Sequence, residues 1–562
     1  MDEDDDGGSM QSEDDMVVEA FTESKNKLKP YEVPHEPLSQ TQVEKLMQQD
    51  VDHICGILGV DTPTSALLLR QAAWNKERLI EQYMDNPTKV LVSAGVQLPE
   101  APSTSSAAPI RSSSSSARTA KPTRRTTSTK PKAPLPFVCP ICFDDAPDIQ
   151  TKALACQQTY CSNCWSAYVN SKVRDEGEHT IPCMGEGCSL VAPDTFVHSV
   201  LIPGGPTTMD AAEQEENSAT WSRYQQLIIR HFVASNGNLK YCPYPECTNT
   251  VSCPSASSKS SLLTVVPIVS CGARGVPGQQ QERASQLGIS PKEHIFCFGC
   301  PVESDHRPLV CAVARLWLQK CHDDSETANW IKTNTKECSK CQSTIEKNGG
   351  CNHMTCKKCK WEFCWVCMGP WTEHGTSWYS CNRYDEKAGI DARDAQSRSR
   401  ASLERYLHYY NRWANHEQSA KLSLELYVKT EKKMEDMQIT SDLTWIEVQF
   451  MKKAVEEVDK CRQTLKWTYA MAYYLSKGNE KDLFEDNQSD LEKAVEDLSE
   501  LLEQPIEPEN IAMLRQKVTD KTVYVAKRND IVLEDTALGY QDGRWKWNVD
   551  VEGFETGERI DY

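Results

Sequence analysis

The feature that most constrains this sequence is the run of closely spaced cysteines between Glu337 and Cys381. The run holds eight cysteines and two histidines, in chain order Cys338, Cys341, Cys351, His353, Cys356, Cys359, Cys364, Cys367, His374 and Cys381. Three cysteine pairs have the two-residue gap that lets both thiolates bind one zinc ion at about 2.3 Å. The spacing therefore predicts a zinc-binding module.

Two tetrahedral zinc sites need eight ligands, and this run offers ten candidates. The simplest division gives one site Cys338, Cys341, Cys356 and Cys359, and the other Cys364, Cys367, His374 and Cys381. Cys351 and His353 then remain without a metal. A thiol two residues before an imidazole, following Gly349 and Gly350, is typical of a nucleophile with a nearby base. The alternative is that Cys351 is a spare ligand and His353 an ordinary loop histidine.

Composition and charge narrow the class of protein. A chain of 562 residues predicts several domains, and a net charge of −19 disfavours nucleic acid as the main partner. We expect no membrane segment, because no apolar run is long enough, and no signal peptide, because the first residues are acidic. All but two of the 25 cysteines lie between Cys139 and Cys381, which indicates metal sites in a reducing compartment. We expect the cytoplasm, with the nucleus as an alternative.

Composition shifts also divide the chain. Residues 1–36 are predicted to be an acidic disordered tail, and residues 99–135, rich in Ser, Thr and Pro, a flexible basic linker. Residues 38–98 hold three short helical patterns and resemble a ubiquitin-associated domain, with a generic three-helix bundle as the alternative. Residues 196–235 are predicted to be a helical spacer.

Residues 390–560 repeat apolar side chains at helical spacing and predict an antiparallel all-α bundle. The pattern places the start of its third helix at Ser489. A fourth helix is predicted over 511–533.

Residues 136–195 hold an earlier cysteine pattern that resembles a cross-braced RING finger. By this resemblance the first zinc would take Cys139, Cys142, Cys161 and Cys164, and the second would take Cys156, Cys183 and Cys188. The family has a histidine as the last ligand, but this chain has Gln158 there. We expect three cysteines and a water, with a borrowed His179 or a weakened site as alternatives. The resemblance also implies that Ile141 and Trp165 bind a ubiquitin-conjugating enzyme, although Trp165 could instead pack between the zinc loops.

Residues 236–322 resemble an in-between-RING module. Four ligands near its end can share one zinc: Cys297, Cys300, His306 and Cys311. The other site has three cysteines: Cys242, Cys247 and Cys271. His294 ends a polar insert just before Cys297 and is the expected fourth ligand, with Cys253 as the alternative.

These three modules in this order resemble the RING-in-between-RING ubiquitin ligases. The run KECSKCQSTIEKNGGCNHMTCKKCKWEFCWVC is similar to the catalytic module of the Ariadne subfamily, and RYDEKAGIDARDAQSRSRASLERYL looks like that subfamily's Ariadne domain. The resemblance implies a multidomain protein of small zinc-stabilised α+β modules with about six Zn²⁺ ions. Residues 333–384 would be the catalytic second RING-like module.

The resemblance further implies a two-step reaction. Ubiquitin would pass from a conjugating enzyme at the first RING to Cys351 as a thioester, and then to a lysine of a protein substrate with His353 as general base. The Ariadne domain would cover Cys351 with the help of Glu496, until cullin ligases carrying a ubiquitin-like modifier release it. The alternatives are a zinc scaffold that only docks conjugating enzymes, a nucleic-acid binder and a dithiol redox enzyme.

Overall fold

The computed structural model of the protein describes most of the chain. The described residues are 28–97, 137–203, 211–275, 293–302, 304–323, 335–347, 351–374, 381–384, 395–440, 448–504 and 510–557. Gly349, Gly350, most of the predicted acidic tail and the whole of the basic linker lie outside these ranges. The chain divides into two compact units, one of Ser39–Gly237 and one of Met1–Leu38 with Asn238–Tyr562.

Residues 28–38 are folded, so the prediction of a disordered tail over 1–36 is wrong for its last part. Strand β1 (Glu36–Leu38) pairs antiparallel with a strand at Thr250–Ser252. Before β1, the ammonium of Lys29 and the hydroxyl of Tyr31 both donate to the carboxylate of Asp530, at 2.6 and 2.7 Å. The segment is held by the pairing of β1 and by these side-chain hydrogen bonds.

The unit of residues 39–237 is mainly helical. Its helices are α1 (Gln40–Leu58), α2 (Thr62–Gln71), α3 (Lys76–Asp85), α4 (Pro87–Ser93), α5 (Ser162–Asn170), α6 (Asp194–Leu201) and α7 (Ala211–Ser235). Strands β2 (Thr151–Ala153) and β3 (Thr159–Cys161) form an antiparallel hairpin. Ser39 and Gln42 form a capping box at the start of α1, and Gly59, at a φ of 66°, ends it.

The segment that resembles a ubiquitin-associated domain was predicted to have three helices, but the structure adds a fourth, α4, which begins at Pro87 after the N-cap residue Asn86. Helices α1–α4 pack on the first zinc module and on α7. The buried guanidinium of Arg70 donates to the hydroxyl of Tyr224 and forms an ion pair with Asp194. Gly95 accepts a hydrogen bond from the N–H of Val191 at 2.9 Å. A Cβ at Gly95 would lie 2.5 Å from the Val191 side chain, and its φ is +70°, so glycine is required there.

The described residues of the second unit form four short sheets. Its further strands are β4 (Leu239–Tyr241), β5 (Thr250–Ser252), β6 (Ile268–Arg274), β7 (Glu293–Cys297), β8 (Thr335–Glu337), β9 (Thr344–Glu346), β10 (His353–Thr355) and β11 (Glu362–Cys364). One sheet has the order β1-β5-β4, and the others are the antiparallel pairs β6–β7, β8–β9 and β10–β11. The turn between β8 and β9 holds Cys338 and Cys341, and the turn between β10 and β11 holds Cys356 and Cys359.

The C-terminal part of this unit is a helical bundle. The helices of the second unit are α8 (Cys311–Asp323), α9 (Trp371–His374), α10 (Ala395–Thr440), α11 (Phe450–Tyr474), α12 (Asn479–Glu503) and α13 (Ile511–Gln541). Helix α11 packs against α10, α12 and α13. Helix α8 inserts Trp317 into the same aromatic core, against Tyr406 and Trp413 of α10.

Two predicted helix boundaries in the bundle are corrected. Helix α12 begins at Asn479 instead of Ser489, because the buried Phe484 extends its apolar face toward the N-terminus. Helix α13 continues past residue 533 to Gln541, where Tyr540 is buried. None of the described helices combines the length and apolarity needed to cross a bilayer.

The contacts of Asp530 with Lys29 and Tyr31 predict that substitution of Asp530 loosens residues 29–38. Asp530→Asn weakens a partly exposed ion pair and a hydrogen bond, a loss of about 1 kcal/mol. Amide hydrogen exchange in residues 29–38 should therefore become several-fold faster, as measured by mass spectrometry. Asp520→Asn, at an exposed position of the same helix, is the matched control. Equal exchange in both variants would contradict the role of Asp530.

Candidate active site and zinc centres

The structure brings the predicted zinc ligands together in groups. Five groups have their ligand atoms within 4.8 Å of one another: Cys139, Cys142, Cys161 and Cys164; Cys156, Cys183 and Cys188; Cys242, Cys247, Cys271 and His294; Cys297, Cys300, His306 and Cys311; Cys338, Cys341, Cys356 and Cys359. Within these groups, seven pairs of sulfur atoms lie 3.5–3.9 Å apart. Tetrahedral zinc with bonds of about 2.3 Å places its sulfurs about 3.8 Å apart, so these donor sets fit zinc.

His294 joins the first in-between-RING group, and Cys253 does not. The Nδ1 atom of His294 lies 3.5 Å from the sulfur of Cys242, and its Nε2 bonds the carbonyl of Gly275 at 2.9 Å. A carbonyl partner on one ring nitrogen leaves the other free to bind metal. The Cys253 sulfur instead lies 3.8 Å from the carbonyl of Pro34.

The second site of the first RING has three sulfurs and a nearby amide. The Gln158 Oε1 lies 3.4 Å from the sulfur of Cys183. The ring of His179 lies 4.4 Å from the ring of His231 and is not part of the group. The geometry therefore places three cysteines at this site and gives His179 a packing contact.

The final cysteine block forms the group around Cys338 and a second cluster. In that cluster the thiol of Cys364 has side-chain contacts with Cys367 and Cys381. The side chain of His374 is not among those that the structure describes. Zinc bound by these groups would serve to cross-link the loops of the module.

The first RING presents one of its two predicted docking residues. The Ile141 side chain is 48% exposed, whereas Trp165 is fully buried and donates from Nε1 to the carbonyl of Lys152 at 3.1 Å. The docking role predicted for Trp165 is therefore wrong, and its alternative role in packing is right. Phe143, 76% exposed, and Val138 accompany Ile141 at the surface. Their position on either side of the first cysteine pair was the signal for them in the sequence.

Cys351 belongs to neither cluster of the final block. Its thiol is 4% exposed, and the sulfur accepts a hydrogen bond from the backbone N–H of His353 at 3.3 Å. Burial first, and then the negative charge of Glu496, raise the pKa of the Cys351 thiol well above its ordinary value. In this arrangement Cys351 is a neutral thiol with low reactivity.

Glu496 of α12 approaches the cysteine through the next residue, Asn352. The backbone N–H of Asn352 donates to Oε2 of Glu496 at 2.6 Å, and its side-chain amide donates to Oε1 at 3.1 Å. Both residues are buried. The helical bundle therefore covers the final cysteine block next to Cys351. The pattern of the sequence alone did not indicate Asn352 as the point of contact.

His353 lies at the start of β10 with carboxylates on both sides. Its Nε2 is 3.6 Å from Glu362 of β11, and its Nδ1 is 4.0 Å from Glu500 of α12. The imidazole stacks on Trp371, with ring centroids 4.2 Å apart. These neighbours fix the orientation of the ring. Glu362 was missed in the sequence because its proximity depends on the pairing of β10 with β11.

A cavity of about 820 Å³ opens beside the cysteine. Cys351, His353 and Met354 line it from the final cysteine block, and Lys429 and Leu502 line it from the bundle. The cysteine is thus buried beneath the bundle but next to open space.

Three family models match parts of this chain. A model of the IBR domain matches residues 333–382, the segment that holds Cys351. A model described as the UBA-like domain of E3 ubiquitin-protein ligase ARIH1 matches residues 45–85. A model of the Ariadne domain matches residues 404–530, which include Glu496.

Curated proteins are similar over nearly the full length. The chain is 44% identical to E3 ubiquitin-protein ligase dbl4 of Schizosaccharomyces pombe, covering 95% of this chain and 93% of that protein. It is 38% identical to E3 ubiquitin-protein ligase ariadne-1 of Drosophila melanogaster, covering 96% and 97%. It is 37% identical to E3 ubiquitin-protein ligase ARIH1 of Homo sapiens, covering 92% and 82%.

The surroundings of Cys351 predict how the reactivity of its thiol changes when the charge of Glu496 is removed. Glu496→Gln removes a negative charge and weakens the cover, so the pKa of Cys351 falls and more thiolate is present at a given pH. Alkylation of Cys351 by iodoacetamide near pH 8 should become on the order of tenfold faster, a change equal to one pKa unit. Peptide mass spectrometry measures the rate at this residue. Glu480→Gln, exposed at the start of α12, is the control, and a rate equal to that control would contradict the assignment.

Proposed function

Because this chain belongs to the Ariadne family of E3 ubiquitin-protein ligases, we propose that it transfers ubiquitin through a thioester on Cys351. The observation that carries the proposal is the exclusion of Cys351 from both clusters of the final block, two residues before His353. A sulfur without a metal is free to act as a nucleophile. A scaffold that only docks conjugating enzymes would not require a cysteine outside the metal clusters.

The first step is a thioester exchange. The Cys351 thiolate attacks the carbonyl of the thioester that joins ubiquitin to its conjugating enzyme. A new thioester forms on Cys351, and the thiolate of the conjugating enzyme leaves. The thiol must first lose its proton, so the raised pKa of the covered state keeps this step slow.

The second step moves ubiquitin to a lysine. The amine of the substrate attacks the Cys351 thioester, forms an isopeptide bond and releases the Cys351 thiolate. His353 accepts the proton that the amine loses, and the carboxylate of Glu362 supports the positive charge that develops on the imidazole. The stacking of the ring on Trp371 holds it in place for this role.

The exposed apolar residues of the first RING support a docking site for the conjugating enzyme. Val138, Ile141 and Phe143 lie around the first cysteine pair and present an apolar surface of the kind that binds a protein partner. Ubiquitin and a conjugating enzyme are therefore the expected partners of the reaction. Trp165 is buried and does not form part of this surface.

We further propose that the covered state is autoinhibited. Its support is the double hydrogen bond from Asn352 to Glu496 and the burial of Cys351 beneath the bundle. A partner that binds the bundle in its displaced position would shift the equilibrium toward activity. Cullin ligases carrying a ubiquitin-like modifier are our candidate for that partner, by the family resemblance.

Loss of the nucleophile tests the thioester. With a charged conjugating enzyme, the chain should give a ubiquitin adduct on a non-reducing gel that thiol reductant removes. Cys351→Ala should abolish the adduct, because no other sulfur takes its role. Cys253→Ala, another buried cysteine outside the zinc groups, should form it normally. Ubiquitin transfer that persists unchanged in Cys351→Ala would favour the scaffold alternative.

Loss of the base separates the two steps. His353→Ala should still form the Cys351 adduct, but its discharge to free lysine should slow by about 10²-fold, since proton transfer is lost. Single-turnover assays that follow loading and discharge separately measure the two rates. His322→Ala, an exposed histidine, is the control. Normal discharge in His353→Ala would show that another group accepts the proton.

A further inference from the structure

Lys347, which follows strand β9, carries a buried ammonium that the proposed reaction does not use. Its side chain is 4% exposed. Its Nζ donates to Oδ1 of Asn352 at 3.3 Å, to Oδ1 of Asn415 at 2.7 Å and to the hydroxyl oxygen of Ser419 at 3.0 Å. Asn415 and Ser419 belong to α10 of the bundle. Burial of a cation is strongly unfavourable unless such acceptors replace water, so α10 solvates this charge.

The Asn352 side chain links this cation to the carboxylate of Glu496. Its Oδ1 faces Lys347 and also accepts from Nδ2 of Asn415 at 3.0 Å. Its Nδ2 donates to Glu496 on the opposite side. A cation at the oxygen and an anion at the nitrogen both favour one orientation of the amide. The residue after Cys351 is therefore held by α10 and α12 together.

We infer that Lys347 is a positioning residue that binds the Cys351 segment to α10, so that closure depends on the α10 oxygens solvating its charge. The inference deepens the proposed autoinhibition and rests on the proposed thioester function. Withdrawal of Asn415 and Ser419 leaves the buried cation with only one of these three acceptors, Oδ1 of Asn352. The cover is thus sensitive to small displacements of α10, because the charge must then reach water.

The electrostatics of the site set the direction of its pH dependence. The titratable and charged groups that face Lys347 are Glu496 of α12, Arg462 of α11, Lys336 of β8 and Cys351. Burial lowers the pKa of Lys347 to about 8. A base whose pKa is lower in the closed state than in the open state binds its proton less well when closed. The closed state therefore gains stability as pH rises through about 8 and is least stable below it.

The acceptors and the cation can be tested as a unit in the full chain. In the double variant Asn415→Leu with Ser419→Ala the ammonium loses two partners, so the closed state weakens. Loading of Cys351 from a charged conjugating enzyme near pH 7 should then be on the order of tenfold faster. Adding Lys347→Met to this variant should restore slow loading, because no cation then needs solvation. Asn411→Leu, exposed one turn earlier on α10, should load as the unmodified chain does.

A pH series distinguishes a charge effect from loss of packing. The increase in the double variant should shrink between about pH 7 and pH 9, where Lys347 loses its proton. An increase that is equal at both pH values, or that Lys347→Met does not reverse, would overturn the role of Lys347. Absence of any Cys351 adduct on the unmodified chain would instead overturn the thioester function. The two failures are therefore distinguishable.

Discussion

Convergence of cysteine ligands on shared metal sites is the constraint on which the sheet-forming parts of this protein depend. The strands there are three to seven residues long, and isolated two-stranded hairpins of this size are not stable in water. Sulfurs from separate loops, such as those of Cys338 and Cys359 at 3.7 Å, meet where one ion can join them. The metal replaces a core that such small modules cannot build. The described clusters of the final block form without Cys351, which leaves its sulfur outside these donor sets.

The arrangement around Cys351 combines burial with polarity. Burial and then the charge of Glu496 raise the pKa of the Cys351 thiol, while the ammonium of Lys347 is solvated by the bundle on the other side of Asn352. An apolar interface would hold the bundle more tightly, since buried charges recover little net stability. In this polar interface, a shift of α10 would break the hydrogen bonds of Asn415 and Ser419 to Lys347 together.

Features that depend on residues close together in the chain could be predicted from the sequence, whereas contacts between distant residues could not. Ligand spacing is local, so the residues that share a cluster could be grouped, including His294 ahead of Cys253. Long-range contacts were not visible: no spacing rule relates Lys347 to Asn415, and burial of Trp165 depends on the packing of α6 against its ring. Residues 28–36 were misjudged because the acidic composition of the preceding segment outweighed a few apolar side chains that find a sheet edge only in the folded state.

The separation of the thiol from its cover along the chain has a consequence for biosynthesis. Glu496 follows Asn352 by 144 positions. The ribosome therefore completes the thiol-bearing module well before helix α12 emerges from the exit tunnel. During that interval Cys351 lacks the burial and the neighbouring carboxylate of Glu496 that raise the pKa of its thiol in the folded protein. A chain released before α12 is complete would therefore carry this thiol without the bundle residues that bury it.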